Sequence, residues 1–144
     1  MKVSDVMTKN PVCCRLTDTA QAVAKILRDE DIGSVPILSD EGKLEGIITD
    51  RDLCCTIIAE GLDPRTTTIN NYVTRNPLAC RADDSLDNCE RAMQKNQIRR
   101  IPVVDDQERC IGVVSQADLA LREEPQKVKE TVAEISKPTH RAVA

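Results

Sequence analysis

Apolar and polar positions alternate along the first part of the chain in a way that predicts a strand followed by a helix. A short strand is expected over residues 12–14, Val-Cys-Cys. Thr17-Asp18-Thr19 then supplies side chains suited to a helix N-cap. The helix after this cap carries an apolar stripe at helical spacing, formed by Ala20, Val23, Ala24 and Leu27.

Two further strands and a second helix complete this set of elements. Residues 34–38 and 44–49 are largely apolar and flank Ser39-Asp40-Glu41-Gly42, which indicates a β-hairpin. A helix is predicted over 50–60, and Gly61-Leu62-Asp63-Pro64 ends it and opens a linker. The order predicted is therefore strand, helix, strand, strand, helix.

The same set recurs without a gap after a shift of 66 residues. Matching positions include Asn10-Pro11 with Asn76-Pro77, Cys14-Arg15 with Cys80-Arg81, Asp18 with Asp84, Ile32 with Ile98, Pro36 with Pro102, Gly46 with Gly112 and Asp52-Leu53 with Asp118-Leu119. Strands are accordingly predicted over 100–104 and 110–115, and a helix over 116–122. A constant offset through helices, strands and turns indicates duplicated structure.

The duplication divides the chain into three segments. Residues 1–66 hold the first repeat with its lead-in, residues 67–122 the second repeat, and residues 123–144 a C-terminal helical segment and tail. The lead-in Lys2–Val6 also resembles residues 131–135. If this likeness is structural rather than chance among short amphipathic stretches, the C-terminal segment docks as a helix that mirrors the N-terminal one.

Composition narrows the classes of function. A net charge of −4, with Tyr72 as the one aromatic residue, argues against a nucleic-acid partner, because there is neither a basic surface nor a platform for base stacking. No apolar run approaches the length that spans a bilayer, and the N-terminus lacks the apolar stretch of a signal peptide. We therefore expect no membrane partner and a cytoplasmic location.

The seven cysteines predict neither a disulfide framework nor a metal site. Their number is odd, no Cys-x-x-Cys occurs, and the single histidine, His140, lies in the tail. Reduced core thiols are the favoured interpretation, since Cys89 and Cys110 fall at positions that read as buried. A redox sensor at Cys13-Cys14 is the alternative.

Two motifs resemble the CBS domain, and each occurs once per repeat. One is an apolar strand with a central proline, Val35-Pro36-Ile37 and Ile101-Pro102-Val103. The other is Gly-apolar-apolar-Thr/Ser-x-x-Asp, at 46–52 and 112–118. The resemblance covers residues 1–122 and implies a Bateman module: an α+β fold of two β-α-β-β-α repeats, packed sheet to sheet around a pseudo-twofold axis that leaves two clefts. The short format is similar to bacterial stress and hypoxic-response CBS proteins.

The Thr/Ser-x-x-Asp motif suggests a nucleotide site on chemical grounds. Thr49 and Ser115 are expected at helix N-termini, where free N–H groups and the helix dipole favour a phosphate. Asp52 and Asp118 lie one turn on, and a carboxylate accepts both hydroxyls of a ribose diol. The competing interpretation is a capping box, in which these groups satisfy the helix itself. The two interpretations are compatible.

The repeats differ where a phosphate would bind. The second has Arg99-Arg100 before its apolar strand, a place where CBS proteins commonly carry basic residues, whereas the first has Gly33-Ser34 and its nearest cation is Arg51. We therefore expect the cleft with Asp118 to bind phosphate better than the cleft with Asp52. Adenine is expected on aliphatic walls formed by Val12, Cys13, Ile32 and Val35, or by Leu78, Ala79, Ile98 and Ile101.

The resulting prediction is a regulatory module that binds AMP, ADP or ATP and signals through a change of conformation or oligomer. A homodimer and an effector protein are the expected macromolecular partners, and no cofactor or metal is required. S-adenosylmethionine is an alternative ligand, and a ligand-free protein–protein scaffold is an alternative function. An enzyme is disfavoured because no Cys–His pair or uncommitted carboxylate pair is found.

Overall fold

A computed structural model describes residues 1–138, so His140 lies outside the described residues. The elements of the first repeat are α1 (Val3–Val6), β1 (Thr8–Lys9), α2 (Ala20–Asp29), β2 (Ser34–Leu38), β3 (Leu44–Thr49) and α3 (Asp50–Asp52), which continues as a π-helical segment, Leu53–Ile58. Those of the second are a 3-10 turn (Ile69–Asn71), β4 (Thr74–Arg75), β5 (Cys80–Arg81), α4 (Leu86–Asn96), β6 (Arg100–Val104), β7 (Cys110–Ser115) and α5 (Gln116–Arg122). A last helix, α6, spans Pro125–Ile135.

The predicted hairpins and helices are confirmed in both repeats, with two differences of detail. The strand expected over 12–14 is reduced to a parallel bridge between Cys14 and Ile37. Thr19 caps α2 as predicted, accepting a hydrogen bond from the Ala22 amide. Within the predicted apolar stripe Ala24 is exposed, and Ile26, outside the stripe, packs against the core.

The structure divides into two compact units. Each unit contains the short strand from the start of the other repeat, β1 in one unit and β4 in the other. One unit contains residues 1–9 and 79–103 and continues from Gly112, and the other contains 10–78 and 104–111. In the first unit β1 pairs with β7, and in the second β4 pairs with β3. The boundaries predicted at 66 and 122 concern the duplicated sequence and remain a prediction.

The same 66-residue offset identifies the true counterpart of the N-terminal helix. Val3 and Ile69 occupy equivalent positions, and both are completely buried. The C-terminal segment does form a helix, α6, and residues 131–135 are its last turn and a half. The sequence likeness between 2–6 and 131–135 therefore did not identify the duplicated element, since the 3-10 turn at 69–71 takes that place.

Apolar side chains, most of them branched aliphatic ones, form the core of each unit. Side chains at most 2% exposed in the unit that contains β2 and β3 include Val23, Val35, Ile37, Ile48, Ile57 and Ile69. In the other unit they include Val3, Val6, Leu86, Met93, Ile101 and Leu119. Full burial of one such side chain contributes about 1.5–3 kcal/mol, so these sets account for most of the driving force in a chain almost without aromatic residues.

Two equivalent glycines permit the close approach of the exchanged strands. A Cβ atom at Gly46 would lie 2.8 Å from the carbonyl oxygen of Thr74 on β4. At Gly112 it would lie 2.7 Å from Sδ of Met7 and 3.1 Å from the carbonyl oxygen of Thr8. At Gly46 the atom nearest to such a Cβ belongs to the backbone, whereas at Gly112 it belongs to the flexible side chain of Met7.

Helix α6 is docked on α4 over a buried pair of glutamates. Glu90 and Glu123 are 4% and 9% exposed, and their carboxylate oxygens lie within 4.8 Å of each other and of Asp87. Thr131 of α6 donates a hydrogen bond of 3.2 Å to Glu90, while Lys127 pairs with Asp87 at 3.1 Å. Burial, together with the charge of Glu123, raises the pKa of Glu90 to about 7.

The glycine contacts predict unequal costs for equivalent substitutions. Gly46→Ala should destabilise the protein by about 1–3 kcal/mol, because strand β4 has to shift. Gly112→Ala should cost less, because the Met7 side chain can rotate. Urea unfolding of both variants measures the difference. An equal or larger loss in Gly112→Ala would show that the backbone contact at Gly46 is not the limiting one.

The glutamate pair predicts a pH-dependent stability. Between the ordinary pKa of 4.5 and the folded value of about 7, the unfolded chain loses the Glu90 proton while the folded chain keeps it. Stability therefore falls as pH rises through this window. Glu90→Gln, which keeps the shape of the neutral acid, should gain roughly 3 kcal/mol relative to wild type between pH 4.5 and pH 8.

Urea midpoints across this pH range test the glutamate prediction. The exposed Glu60 provides the control, since Glu60→Gln should follow the wild-type profile. A Glu90→Gln profile parallel to wild type would refute proton uptake by the pair.

Candidate ligand-binding sites

The first candidate site is built at the start of α3. The Thr49 amide donates to Oδ2 of Asp52 at 2.9 Å, and the Asp52 amide donates to Oγ1 of Thr49 at 3.0 Å. These bonds form the capping box that was the competing interpretation of the motif. Within the described residues nothing donates to Oδ1 of Asp52, and the Thr49 hydroxyl donates to no acceptor. The cap thus leaves one acceptor and one donor for a ligand.

The second candidate site, at the start of α5, has the same cap but no uncommitted carboxylate oxygen. Both the amide and the hydroxyl of Ser115 donate to Oδ2 of Asp118, at 2.9 and 3.0 Å. The hydroxyl of Thr8 donates to Oδ1 of Asp118 at 3.0 Å. The carboxylate of Asp118 therefore accepts three hydrogen bonds from protein groups, whereas the carboxylate of Asp52 accepts one.

Thr8 is a site residue that the sequence analysis missed. It lies on β1, opposite Val113 of β7, and this pairing brings its hydroxyl to Asp118 across 110 residues of sequence. The duplication held a signal, since Thr74 stands at the equivalent position, opposite Ile47. The pattern of the lead-in favours a helix alone, so its short strand is not predicted.

Three arginines near the helix starts have side chains available for an anion. Arg99 is held next to α5, because its carbonyl oxygen accepts from the Gln116 amide at 3.0 Å. Arg99 is exposed and Arg100 half-buried, and Arg51 is exposed on α3. Within residues 1–138 none of these three guanidinium groups makes an ion pair or hydrogen bond. The phosphate-binding role of Arg99 and Arg100 stays a prediction.

The residues predicted as adenine walls differ in accessibility. Val12, Ile32 and Leu78 belong to the unit of Asp52 and are 39%, 36% and 45% exposed. Val35 and Ile101 are completely buried, so they belong to the cores behind any accessible surface. The half-buried members are Cys13 in the unit of Asp52, and Ala79 and Ile98 in the unit of Asp118.

The cysteines form two thiol pairs that sequence did not indicate. Cys13 and Cys110 are hydrogen-bonded to each other, and this contact together with burial raises the pKa of Cys13. The Cys89 thiol donates to Cys80, which lowers the pKa of Cys80 and raises that of Cys89. Burial and the charge of Asp18 raise the pKa of Cys14 to about 12. Cys110 is half-buried and Cys89 fully buried.

Two observations on the described residues bear on other partners. The one group of three or more metal-ligating side chains found close together in residues 1–138 is Asp87, Glu90 and Glu123, beneath α6. No helix within the same residues combines the length and apolar character needed to cross a bilayer.

The strand–cap–helix arrangement occurs once in each repeat and defines a tandem module. The family model of the CBS domain matches residues 3–58 and again 69–123. The chain therefore belongs to the CBS domain family and carries two copies of the domain. Its α+β fold is that of CBS domain pairs, as the resemblance implied.

Three known proteins illustrate the relationship. Hypoxic response protein 1 of Mycobacterium tuberculosis is 34% identical over 116 residues, 81% of this chain and 80% of that protein. A crystal structure of Hypoxic Response Protein I, with two coordinated zinc ions, matches at a TM-score of 0.77 and 32% identity, over 86% of this chain and 100% of that one.

The other two are structures with adenosyl ligands. The CBS domain pair of protein MJ0100, in complex with 5'-methylthioadenosine and S-adenosyl-L-methionine, matches at a TM-score of 0.76 and 32% identity, over 84% of this chain and 94% of that one. A CBS domain protein of Pyrobaculum aerophilum complexed with AMP matches at a TM-score of 0.79 over 92% of this chain and 99% of that one. Its 21% identity shows a shared fold alone.

The hydrogen bonds at the two caps predict different costs for removing the carboxylates. Asp52→Ala should destabilise the protein by about 1 kcal/mol, the usual cost of a lost cap. Asp118→Ala should cost about 2–3 kcal/mol, because Ser115 and Thr8 lose their acceptor. Urea unfolding measures both, with the exposed Asp83→Ala as control. Equal losses at the two sites would contradict the assigned role of Thr8.

Proposed function

We propose that the chain is a regulatory module that binds adenosyl ligands, with AMP, ADP or ATP as the principal class. The observation that carries this proposal is the repeated hydroxyl–carboxylate pair at a helix start, beside guanidinium groups that no protein group within residues 1–138 occupies. The complex of the MJ0100 CBS pair with 5'-methylthioadenosine and S-adenosyl-L-methionine supports an adenosyl ligand. No catalytic role is proposed, and the cytoplasmic location stays a prediction.

The site of Asp118 is proposed to bind the phosphorylated ligands. Ser115 and the two arginines would contact the phosphate, while Asp118 would accept the ribose diol. For this the diol has to replace Thr8 as donor to Oδ1. Because Thr8 is part of β1, ligand binding would change a bond that holds this strand beside the helix start, which gives a physical route from occupancy to conformation.

The site of Asp52 is proposed to favour adenosyl ligands without a phosphate, such as S-adenosylmethionine or methylthioadenosine. Its open Oδ1 suits a diol, and Gly33-Ser34 stands where the second repeat has two arginines. The exposed side chains of Val12, Ile32 and Leu78 would contact the adenine. Methylthioadenosine in the MJ0100 complex favours this second candidate ligand.

Output is proposed to pass through a homodimer and an effector protein. Ile58 and Leu121 are 72% and 85% exposed, and each lies on a helical segment that follows a candidate site. Such side chains suit an interface that responds to ligand. A ligand-free scaffold remains the competing function, and binding measurements separate the two.

Isothermal titration with AMP, ATP, S-adenosylmethionine and methylthioadenosine tests the ligand class. Arg99→Ala/Arg100→Ala should weaken AMP binding at least about tenfold, or 1.4 kcal/mol, and leave methylthioadenosine within about twofold. The exposed pair Lys95→Ala/Lys129→Ala removes the same charge from the same unit and should change neither. Asp52→Ala should weaken methylthioadenosine about tenfold.

Two outcomes would contradict the proposal at different levels. No heat with any of the four ligands at millimolar concentration, from a folded protein, would reject ligand sensing and favour the scaffold. Equal weakening of AMP and methylthioadenosine in the double arginine variant would reject the phosphate assignment alone.

A further inference from the structure

The contact between Cys13 and Cys110 joins parts of the chain that are far apart in sequence. The two residues are 97 positions apart, yet both lie in the unit formed by residues 10–78 and 104–111, and their thiols are hydrogen-bonded. The backbone holds this proximity, because the Asn10 amide donates to the carbonyl oxygen of Ile111 at 3.1 Å. A second contact orients Cys13, whose Sγ lies 3.3 Å from the carbonyl oxygen of Pro11.

The accessibility of this pair distinguishes it from the other thiols. Cys13 and Cys110 are both half-buried, so a small oxidant can reach them. The other contacting pair, Cys80 and Cys89, is 6% and 0% exposed. Cys54 and Cys55 are exposed, but adjacent residues on a helical segment point in different directions. Proximity and access therefore combine at one pair only among the described cysteines.

The cysteine pair does not recur at the two positions related to it by the 66-residue offset. The positions equivalent to Cys13 and Cys110 are Ala79 and Leu44. Neither carries sulfur, so the fold accommodates an alanine or a leucine where the thiols stand. These two residues supply substitutions that the architecture already tolerates.

We propose that Cys13 and Cys110 form a dithiol that peroxide oxidises to a disulfide, linking the segment before α2 to the start of β7. One thiolate attacks a peroxide oxygen, the O–O bond breaks, and a sulfenic acid and water result. The second thiol attacks that sulfur, the S–S bond forms, and the sulfenic oxygen leaves as water. In sum, two thiols and one hydrogen peroxide give one disulfide and two waters.

The surroundings of Cys13 and Cys110 determine how fast the thiols react with peroxide and what the disulfide does to the protein. Because the pKa of Cys13 is raised, little thiolate exists at neutral pH, and the reaction should accelerate toward alkaline pH. The disulfide would close a long loop and restrict the unfolded chain, which stabilises the native state. It would also fix Cys13, a predicted adenine contact, although the dithiol does not depend on the proposed ligand function.

Peptide mapping of the oxidised protein tests the proposal. A Cys54→Ser/Cys55→Ser background removes the exposed thiols that would link separate molecules. After treatment with hydrogen peroxide and blocking of the remaining thiols, trypsin should release residues 10–15 linked to residues 110–122. The link should disappear with dithiothreitol, form several times faster at pH 9 than at pH 7, and raise the urea midpoint of the protein.

Substitutions that introduce the residue found at the equivalent position of the other repeat test whether Cys13 and Cys110 form the link. Cys13→Ala and Cys110→Leu should each abolish the linked peptide, and circular dichroism checks that both variants are folded. Cys89→Val, which introduces the residue type found at the equivalent position 23, should leave the link intact. The mapping in the Cys54→Ser/Cys55→Ser background keeps both Cys13 and Cys110, so it tests the proposal even if neither Cys13→Ala nor Cys110→Leu folds.

Several results would overturn the proposal. One is a linked peptide that persists in Cys13→Ala, which would assign the chemistry to Cys14. Another is full alkylation of Cys13 and Cys110 after peroxide has oxidised Cys80 and Cys89. Binding of AMP with and without the disulfide is a separate readout, so an oxidised protein that binds no AMP in either state contradicts the ligand proposal and not the dithiol.

Discussion

The hydrogen bonds that start α3 and α5 are the interaction on which both candidate sites depend. In each repeat a strand ends at a hydroxyl residue whose side chain accepts from the amide of the Asp three positions later. The carboxylate of that Asp accepts in return from the amide of the hydroxyl residue, which closes a ring. This ring fixes a carboxylate at the point where the backbone N–H groups of the helix are still unpaired. A cap and a binding site thus use the same atoms, and what separates them is the number of lone pairs left over.

The exchange of the lead-in strands makes the two caps unequal. Strand β1 brings Thr8 to Asp118, and within the described residues the equivalent Thr74 makes no such bond to Asp52. The repeat with better cations therefore has the more occupied carboxylate, and the repeat without them has the more open one. Equivalent backbones, which the 66-residue offset preserves, carry different chemistry because of a few side chains near each helix start.

Much of this fold could be predicted from sequence, because duplication supplied each element twice. The hairpin strands and caps were correctly bounded, since polar turn residues separate the strands and a hydroxyl residue stands at the start of each capped helix. Side-chain proximity between distant segments could not be predicted in the same way. Thr8 reaches Asp118, and Cys13 reaches Cys110, only because strands pair across distant parts of the sequence, and periodicity carries no information on that pairing. The exposure of Ala24 likewise depended on which helix face met the sheet.

Gly46 and Gly112 each allow a strand from the start of the other repeat to pair at the edge of a sheet. A single repeat on its own would present an unpaired strand edge beside its glycine, and its own lead-in would have no edge to join. Only another copy could supply the missing strand, so an isolated repeat would fold by association and its stability would depend on protein concentration. Joining two copies in one chain replaces that concentration with the effective concentration set by a short linker. The covalent duplication thus turns an assembly reaction into a unimolecular folding reaction.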